Sequence, residues 1–252
     1  RVIGPNCLGI INPSLGVNAC FASQMALKGQ IAFISQSGAL CSSILDWAKQ
    51  QQVGFSHFVS VGSMIDVSFP ELIDYFGMDP YTTSILIYME SISDARRFMS
   101  AARAFAKLKP IIILKAGKSI QGASAALSHT GMLAGNDDAF DAAFTRAGCI
   151  RVERISQLFN CAHSLSMQPR PKGNRLAIIT NAGGVGVLCT DRLSERGGEL
   201  ASLPITTINA IDEKIKLPYW SRSNPIDMQE DASPERYQAA VDACLACKEV
   251  DG

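Results

Sequence analysis

Only three histidines occur in this chain, and it has no run of basic residues, no excess of either charge and no apolar stretch longer than a strand. Lysine plus arginine equals aspartate plus glutamate at 23 each. A neutral balance without basic clusters argues against nucleic acid or an anionic membrane as the main partner. The longest apolar stretches, residues 85–89 and 111–114, fall far short of the roughly 20 residues a membrane span needs. No signal-peptide pattern is present, no Walker-type phosphate loop occurs, and the cytoplasm, where thiols stay reduced, is the expected location. The eight cysteines are scattered, mostly in apolar surroundings where Cys behaves as a small hydrophobe. Cys244 and Cys247 have zinc-knuckle spacing, but no second pair follows and the pattern around them is helical. Reduced thiols and no metal site are expected.

What is present is a large apolar fraction. At 47% of 252 residues it is enough to bury the cores of two domains. Turn residues open the chain at Gly4-Pro5-Asn6-Cys7-Leu8-Gly9, with Ile10-Ile11-Asn12-Pro13 after them. Strand and helix patterns then alternate. Strands are predicted at 30–34, 55–61, 84–88, 111–115 and 149–152, and helices at 37–51, 69–76, 93–107, 137–147 and 155–167. Strands separated by ten- to fifteen-residue helices predict a parallel sheet with helices on both faces. Residues 29–167 form the first such domain. Gln168-Pro169-Arg170-Pro171-Lys172-Gly173 has two prolines and no apolar anchor, and 168–174 reads as a linker. From 175 to 252 the alternation restarts: strands at 176–180 and 199–201, helices at 185–196, 206–217 and 234–247, and a loop at 219–228. The fold class is therefore α/β with two parallel-sheet domains, the second truncated. Opening on Arg1 and stopping at Gly252 after a helical pattern, the chain reads as a segment of a larger protein.

The same strand, glycine loop and helix occur twice, at 31–47 and 176–193. Both are an apolar strand, two polar residues, then small residues and glycine opening a helix. Ligands of open parallel sheets collect at the carboxyl ends of strands. A helix start there offers unpaired N–H groups and a partial positive charge, which suit phosphate. Ser35, Ser37, Gly38 and Ala39 make the first such start, and Asn181, Ala182, Gly183, Gly184 and Val185 the second. Tight turns that need small residues for packing are the alternative for either loop alone.

His57 lies in an apolar strand pattern and His163 on a helix; both read as structural. His129 differs, because it sits in a predicted loop of small residues, Ala-Leu-Ser-His-Thr-Gly-Met-Leu-Ala-Gly, that no apolar periodicity explains. A neutral imidazole is a competent nucleophile towards phosphorus. It needs an acceptor on its other nitrogen, and Glu90, at the mouth of the strand 85–89, is the candidate; a capping or surface carboxylate is the alternative for Glu90. Asp66 and Asp94 read as helix caps.

These motifs resemble those of the nucleoside-diphosphate-forming acyl-CoA synthetases, relatives of succinyl-CoA synthetase. The matching runs are Gly4-Pro-Asn-Cys-Leu-Gly-Ile-Ile-Asn-Pro13, Ser35-Gln-Ser-Gly38, Tyr88-Met-Glu90, Ser128-His-Thr-Gly-Met-Leu-Ala-Gly135, Thr180-Asn-Ala-Gly-Gly184 and Asn224-Pro-Ile-Asp227. The resemblance covers essentially the whole chain. It implies flavodoxin-like domains and a reversible reaction. Acyl-CoA and phosphate give acyl phosphate, the phosphoryl group passes to a histidine, and the phosphohistidine converts ADP or GDP to ATP or GTP.

By position, the resemblance makes His129 the phosphorylated residue, in a loop with Thr130 and Gly131, and Glu90 its orienting partner. Ser37-Gly38-Ala39 and Gly183-Gly184-Val185 become two helix starts that hold the phosphoryl group from opposite sides. Pro5, Asn6 and Gly9 belong to the acyl and CoA end. Residues 1–28 become the tail of a preceding CoA-binding domain and a connecting segment. CoA and the nucleotide with Mg2+ are then bound mainly by domains absent from this segment: an N-terminal CoA-binding domain and an ATP-grasp domain or subunit. The segment alone is expected to be inactive, and a homo-oligomer is expected. The stretch Ser93-Asp-Ala-Arg-Arg-Phe-Met-Ser-Ala-Ala-Arg103 is similar to one in large bacterial lysine acetyltransferases. That likeness implies, as an alternative, an acyl-CoA-sensing regulatory region with a GCN5-type acetyltransferase domain elsewhere in the chain. A flavodoxin-like binding module without chemistry is the third reading.

Overall fold

Ile31-Ala32-Phe33-Ile34 has no polar side to offer water, so it can only be a strand covered on both faces, and all four residues are fully buried. The computed structural model describes residues 1–130, 135–169, 171–215 and 220–252, without the side chains of residues 129, 130, 162 and 166. The chain forms two compact units, Arg1–Gln168 and Pro169–Gly252.

The first unit runs β1 (Gly9–Asn12), β2 (Val17–Cys20), β3 (Lys28–Ser35), α1 (Gly38–Gln50), β4 (Phe55–Ser60), α2 (Phe69–Met78), β5 (Ser84–Met89), α3 (Ala95–Phe105), β6 (Ile111–Lys115), α4 (Ile120–Thr130), α5 (Asp137–Ala147), β7 (Ile150–Val152) and α6 (Ile155–Met167). Its strands form one sheet in the order β2-β1-β4-β3-β5-β6-β7. From β4 to β7 every pairing is parallel. The order of these five is that of a flavodoxin-like doubly wound sheet, whose topological switch point lies between β3 and β5.

One face carries α1 and α6 over Phe33, Phe58 and Leu86, and the other carries α2, α3 and α5 over Ile34, Ile87 and Ile113. Caps fix where the helices begin. Ser37 accepts from the Leu40 amide at α1, Asp94 from Arg97 at α3 and Asn136 from Ala139 at α5. At α2, Ser68 and Glu71 form a reciprocal capping box.

Four features depart from the sequence reading. Residues 1–28, set outside the first domain there, lie within its compact unit. The β1–β2 hairpin pairs antiparallel onto β4 through Ile10 and Ile11, because Ile11 finds a place in the sheet's core. Asp66, expected to cap a helix, instead accepts from the Val2 amide at 2.6 Å and pairs with Arg1. The cap of α2 falls to Ser68. Finally, His129 stands on the last turn of α4 and not in a loop. The run from Ile120 to Ser128 is rich in Ala, Ser and Leu, and its helix-forming alanines prevail. Gly131 lies outside the described residues.

The second unit contains β8 (Arg175–Leu176), β9 (Ile179–Thr180), α7 (Gly183–Glu195), β10 (Glu199–Leu200), α8 (Ile205–Ile215), β11 (Ile226–Asp227) and α9 (Pro234–Leu245). The single strand expected at 176–180 is split in two. β8 pairs in parallel with β10, and β9 with β11. Asn224 occupies the break: its Oδ1 accepts from the Ile178 amide, and its Nδ2 donates to the carbonyls of Leu176 and Ala201. β11 falls within the stretch expected to be a loop. The expected end of the helix at 206–217 lies outside the described residues. Ile211, Ile215, Trp220, Ile226, Met228 and Ala240 make this unit's core.

Candidate functional site

In the first unit the carboxyl ends of β3 and β5 diverge at the switch point, and the loops leaving them hold Ser35, Gln36, Ser37 and Glu90. Ser35 is fully buried, and its hydroxyl is spent inside the turn. It accepts from the Ser37 amide at 3.0 Å and donates to the Ser37 carbonyl at 2.9 Å. Ser37 caps α1 through its own hydroxyl at 3.3 Å from the Leu40 nitrogen. The Ser35 hydroxyl is therefore spent, and that of Ser37 is engaged as an acceptor. What this turn offers an anion is the pair of first-turn amides of Gly38 and Ala39, which an α-helix leaves without intrahelical partners. Cys41, beneath the turn, is pushed up to about 12 by burial, against hydrogen bonds from Ser35 and Ser60, so its thiol is not a nucleophile here.

The N-terminal loop lies against the same turn. Leu8 donates its amide to the Ser60 hydroxyl at 2.9 Å, and a Cβ built on Gly38 would lie 3.5 Å from the Leu8 nitrogen. Pro5 and Gly4 accept from the amides of Ser63 and Ile65 at the end of β4. Asn6 adopts a positive φ of 55°, a conformation Asn tolerates better than most residues. Gly62, with φ of 54°, packs so closely that a Cβ would fall 2.1 Å from the Pro5 carbonyl oxygen. Pro5 and Asn6 thus lie against the turn that follows β4, and Leu8 beside the first helix start. Gly9 does not line the loop: it pairs with Cys20 in the hairpin, where any Cβ would collide with Ala19 and Cys20.

Glu90 is half-buried just beyond β5. Tyr88, two residues back, hydrogen-bonds to it; burial first, then the Glu90 charge, raises the phenol above its ordinary range. The Glu90 backbone is held by Gln36, a residue the sequence reading passed over. Gln36 Oε1 accepts from the amides of both Glu90 and Ser91, and its Nε2 donates to the Ser91 hydroxyl. The only sequence sign was an amide side chain between the two serines of the loop.

Lys115 was missed too. It closes the otherwise apolar β6 and is buried, with its ammonium 4.6 Å over the Phe140 ring and bonded to the Ala116 carbonyl. His129 and Thr130 are placed by backbone alone, at the end of α4.

The second unit repeats the two hydroxyl bonds of the first turn, though Ala182 has no polar side chain to cap α7. Thr180 Oγ1 accepts from the Ala182 amide at 3.0 Å and donates to the Ala182 carbonyl at 3.1 Å, as Ser35 does to Ser37. α7 then opens with Gly183 and Gly184, and Asn181, Gly183, Gly184 and Val185 are all exposed. A Cβ on Gly184 would meet nothing within 4 Å, while one on Gly183 would lie 2.9 Å from Asp227 Oδ2. There is thus open space where a Gly184 side chain would stand, with a carboxylate close to the next residue of the helix start. His57 is buried between Asn12, Tyr75 and Phe76, and His163 is exposed on α6. The described residues hold no group of three or more metal-ligating side chains, and no described helix is long and apolar enough to cross a membrane.

Residues 28–165 match the family model described as succinyl-CoA ligase like flavodoxin domain. Over 251 residues the chain is 43% identical to the alpha subunit of acetate–CoA ligase [ADP-forming] II of Pyrococcus furiosus, covering 100% of this chain and 54% of that protein. It is 35% identical to the 4-hydroxybutyrate–CoA ligase [ADP-forming] of Nitrosopumilus maritimus, over 97% of this chain and 35% of that one. A solved structure of the dinucleotide-forming acetyl-coenzyme A synthetase 1 of Ca. Korarchaeum cryptofilum, in complex with phosphate and ADP, superposes with a TM-score of 0.94 at 37% identity, over 100% of this chain and 54% of that one. The chain spans about half the length of these curated subunits or less.

Proposed function

This chain belongs to the succinyl-CoA ligase-like flavodoxin family, and from that premise we propose that it is the phosphoryl-transfer core of an ADP- or GDP-forming acyl-CoA synthetase. The observation that carries the reading is the repeated Ser35 and Thr180 turn, each opening a helix whose first amides are free for an anion. In the synthetic direction, phosphate attacks the acyl carbonyl of acyl-CoA and the thiolate of CoA leaves. His129 then takes the phosphoryl group from the acyl phosphate and releases the free acid. Last, the phosphorus passes from the imidazole nitrogen to the terminal phosphate oxygen of the nucleoside diphosphate.

In this reading the first-turn amides, those of Gly38 and Ala39 in one unit and those of Gly183 and Gly184 in the other, are each a cradle for the concentrated negative charge of a phosphoryl group. They are fixed dipoles and need no reorganisation during the transfer. Glu90 accepts from the second ring nitrogen of His129 and fixes its tautomer. Pro5 and Asn6 border the acyl and CoA end. CoA and the nucleotide with Mg2+ are held mainly by an N-terminal CoA-binding domain and an ATP-grasp domain or subunit. The domain limits proposed are a first domain that ends at 167 and a second at 175–252, about a linker at 168–174. A homo-oligomer working in the cytoplasm completes the reading.

The acetyltransferase-linked alternative rests on residues 93–103, and the fold accounts for these otherwise. Asp94 caps α3, Phe98, Ala101 and Ala102 bury its inner face, and Arg97 reaches Glu71 on α2. The synthetase reading is therefore preferred. It is tested by incubating the full-length protein, with its ATP-binding partner, with labelled ATP and Mg2+. An acid-labile label on His129 that disappears in His129→Ala is expected; equal labelling of the variant refutes the assignment.

A further inference from the structure

Lysine is almost never fully buried without a charged partner, yet Lys115 is 5% exposed, and it takes part in none of the ion pairs of the described residues. Its position on β6, two residues after the core residue Ile113, puts it on the face covered by α3 and α5. There, among the described residues, the ammonium has two partners. One is the carbonyl of Ala116, the first residue to leave the sheet towards α4. The other is the ring of Phe140, in the first turn of α5, 4.6 Å away. Between Ala116 and Phe140 the chain makes the excursion that carries α4 and His129.

The returning end is pressed onto the same ring. Gly135 has φ of 77°, and a Cβ there would lie 2.9 Å from Phe140 Cε2. From β7, Arg151 holds Asp137, the first residue of α5, at 2.6 Å. We propose that Lys115 is a positioning residue that fastens the departing and returning ends of the His129 excursion to each other at the mouth of β6. The catalytic part of this inference rests on the phosphohistidine reading above; the fastening does not.

Stability does not explain this charge. A buried ammonium loses its hydration, and an apolar side chain of similar volume in such a place is often as stable or more so. Burial here lowers the readiness of Lys115 to hold its proton. Asp137 and, less strongly, Glu90 act to keep it charged, and Arg151 acts against. What a methionine of the same length would lack is the directional hold on the Ala116 carbonyl and the cation–π contact. Small displacements of a reacting group cost rate steeply, so the loss should appear in phosphoryl transfer before it appears in folding.

The test compares Lys115→Met, Lys115→Arg and Phe140→Leu in the full-length protein with its ATP-binding partner. Three quantities are read: the single-turnover rate of acid-labile labelling from ATP, KM and kcat with acyl-CoA, and amide hydrogen exchange along the chain. Lys115→Met is expected to slow labelling by about tenfold or more, with KM for acyl-CoA little changed. Exchange should rise in α4 and the first turn of α5 while α1 stays as protected as in wild type. Lys115→Arg should recover most of the rate, and Phe140→Leu should fall between.

Wild-type labelling and wild-type α4 exchange in Lys115→Met overturn the proposal. So does faster exchange throughout the first unit, which marks a general packing role. If wild type itself acquires no label, the phosphohistidine reading fails, and the α4 exchange of Lys115→Met still decides whether the two ends are fastened as described.

Discussion

Gln36 and Glu90 meet across the switch point: the side-chain oxygen of Gln36 accepts the Glu90 amide at 2.5 Å and the Ser91 amide at 3.0 Å. One buried amide side chain thereby sets the height of the Glu90 carboxylate relative to the turn that opens α1. Gln36→Ala leaves two amides without this acceptor and is expected to destabilise the first unit by about 1–3 kcal/mol. Phosphoryl transfer should suffer more than stability does. Denaturant melts alongside the labelling rate check this. A variant that loses stability and keeps its rate shows that the link serves folding alone.

Two glycines with similar backbones should respond differently to alanine. Gly16 and Gly62 both have φ above 50°, but a Cβ on Gly16 meets nothing, whereas one on Gly62 overlaps the carbonyls of Pro5 and Asn6. Gly16→Ala is expected to cost only the left-handed penalty of roughly 1–2 kcal/mol. Gly62→Ala should cost more and detach residues 4–8 from β4, with a raised KM for acyl-CoA. Equal melting temperatures for the two variants would contradict the close approach.

Asn224 makes three hydrogen bonds to backbone groups of residues 176, 178 and 201. At about 1 kcal/mol each, more if a buried group is left unpaired, Asn224→Ala should lower the stability of the second unit by about 3 kcal/mol. The first unit should be untouched. Hydrogen exchange resolved by segment checks it, and equal loosening of β3 and β8 counts against independent units.

Acid should act in two windows. His57 is held below its ordinary 6.5 by burial, despite Asp79 nearby. The unfolded chain therefore binds this proton more readily, so stability is complete above pH 6.5 and declines as pH falls below it. Glu71 is partly buried, which disfavours its charge, but hydrogen bonds from Ser68 and from Arg97 hold it at about 2. Its contribution is complete above about 4.5 and is lost as pH falls towards 2. His57→Gln should flatten the first window and Glu71→Gln the second, read from urea midpoints against pH. A variant with the wild-type slope in its own window removes that residue from the account.

Most of the first domain was legible because its central strands are largely apolar and its packed helices carry one buried stripe, so period alone separates them. The two glycine turns were legible as well, and the structure adds why they look alike: Ser35 and Thr180 make the same pair of bonds to the residue two places on. Three things were hidden. β1 and β2 are four residues each and lie at the sheet's edge, too short to show a period. The break at Ala177 and Ile178 depends on Asn224, 46 residues after Ile178. Gln36 and Lys115 act through partners on other elements, and spacing along one chain carries no such information. The helix at His129 was misread as a loop because α4 has no buried stripe from which periodicity could be read.

That last property has a mechanical meaning. None of the residues from Ile120 to Ser128 is buried, and Ile120 itself is 87% exposed. Eleven residues are too few to hold a helix by backbone bonding alone, and no layer of the sheet grips this one. Displacing it would open no void in the interior. A helix held so lightly can shift as one piece with little loss of packing, and whatever surface it meets next decides how firmly it stays.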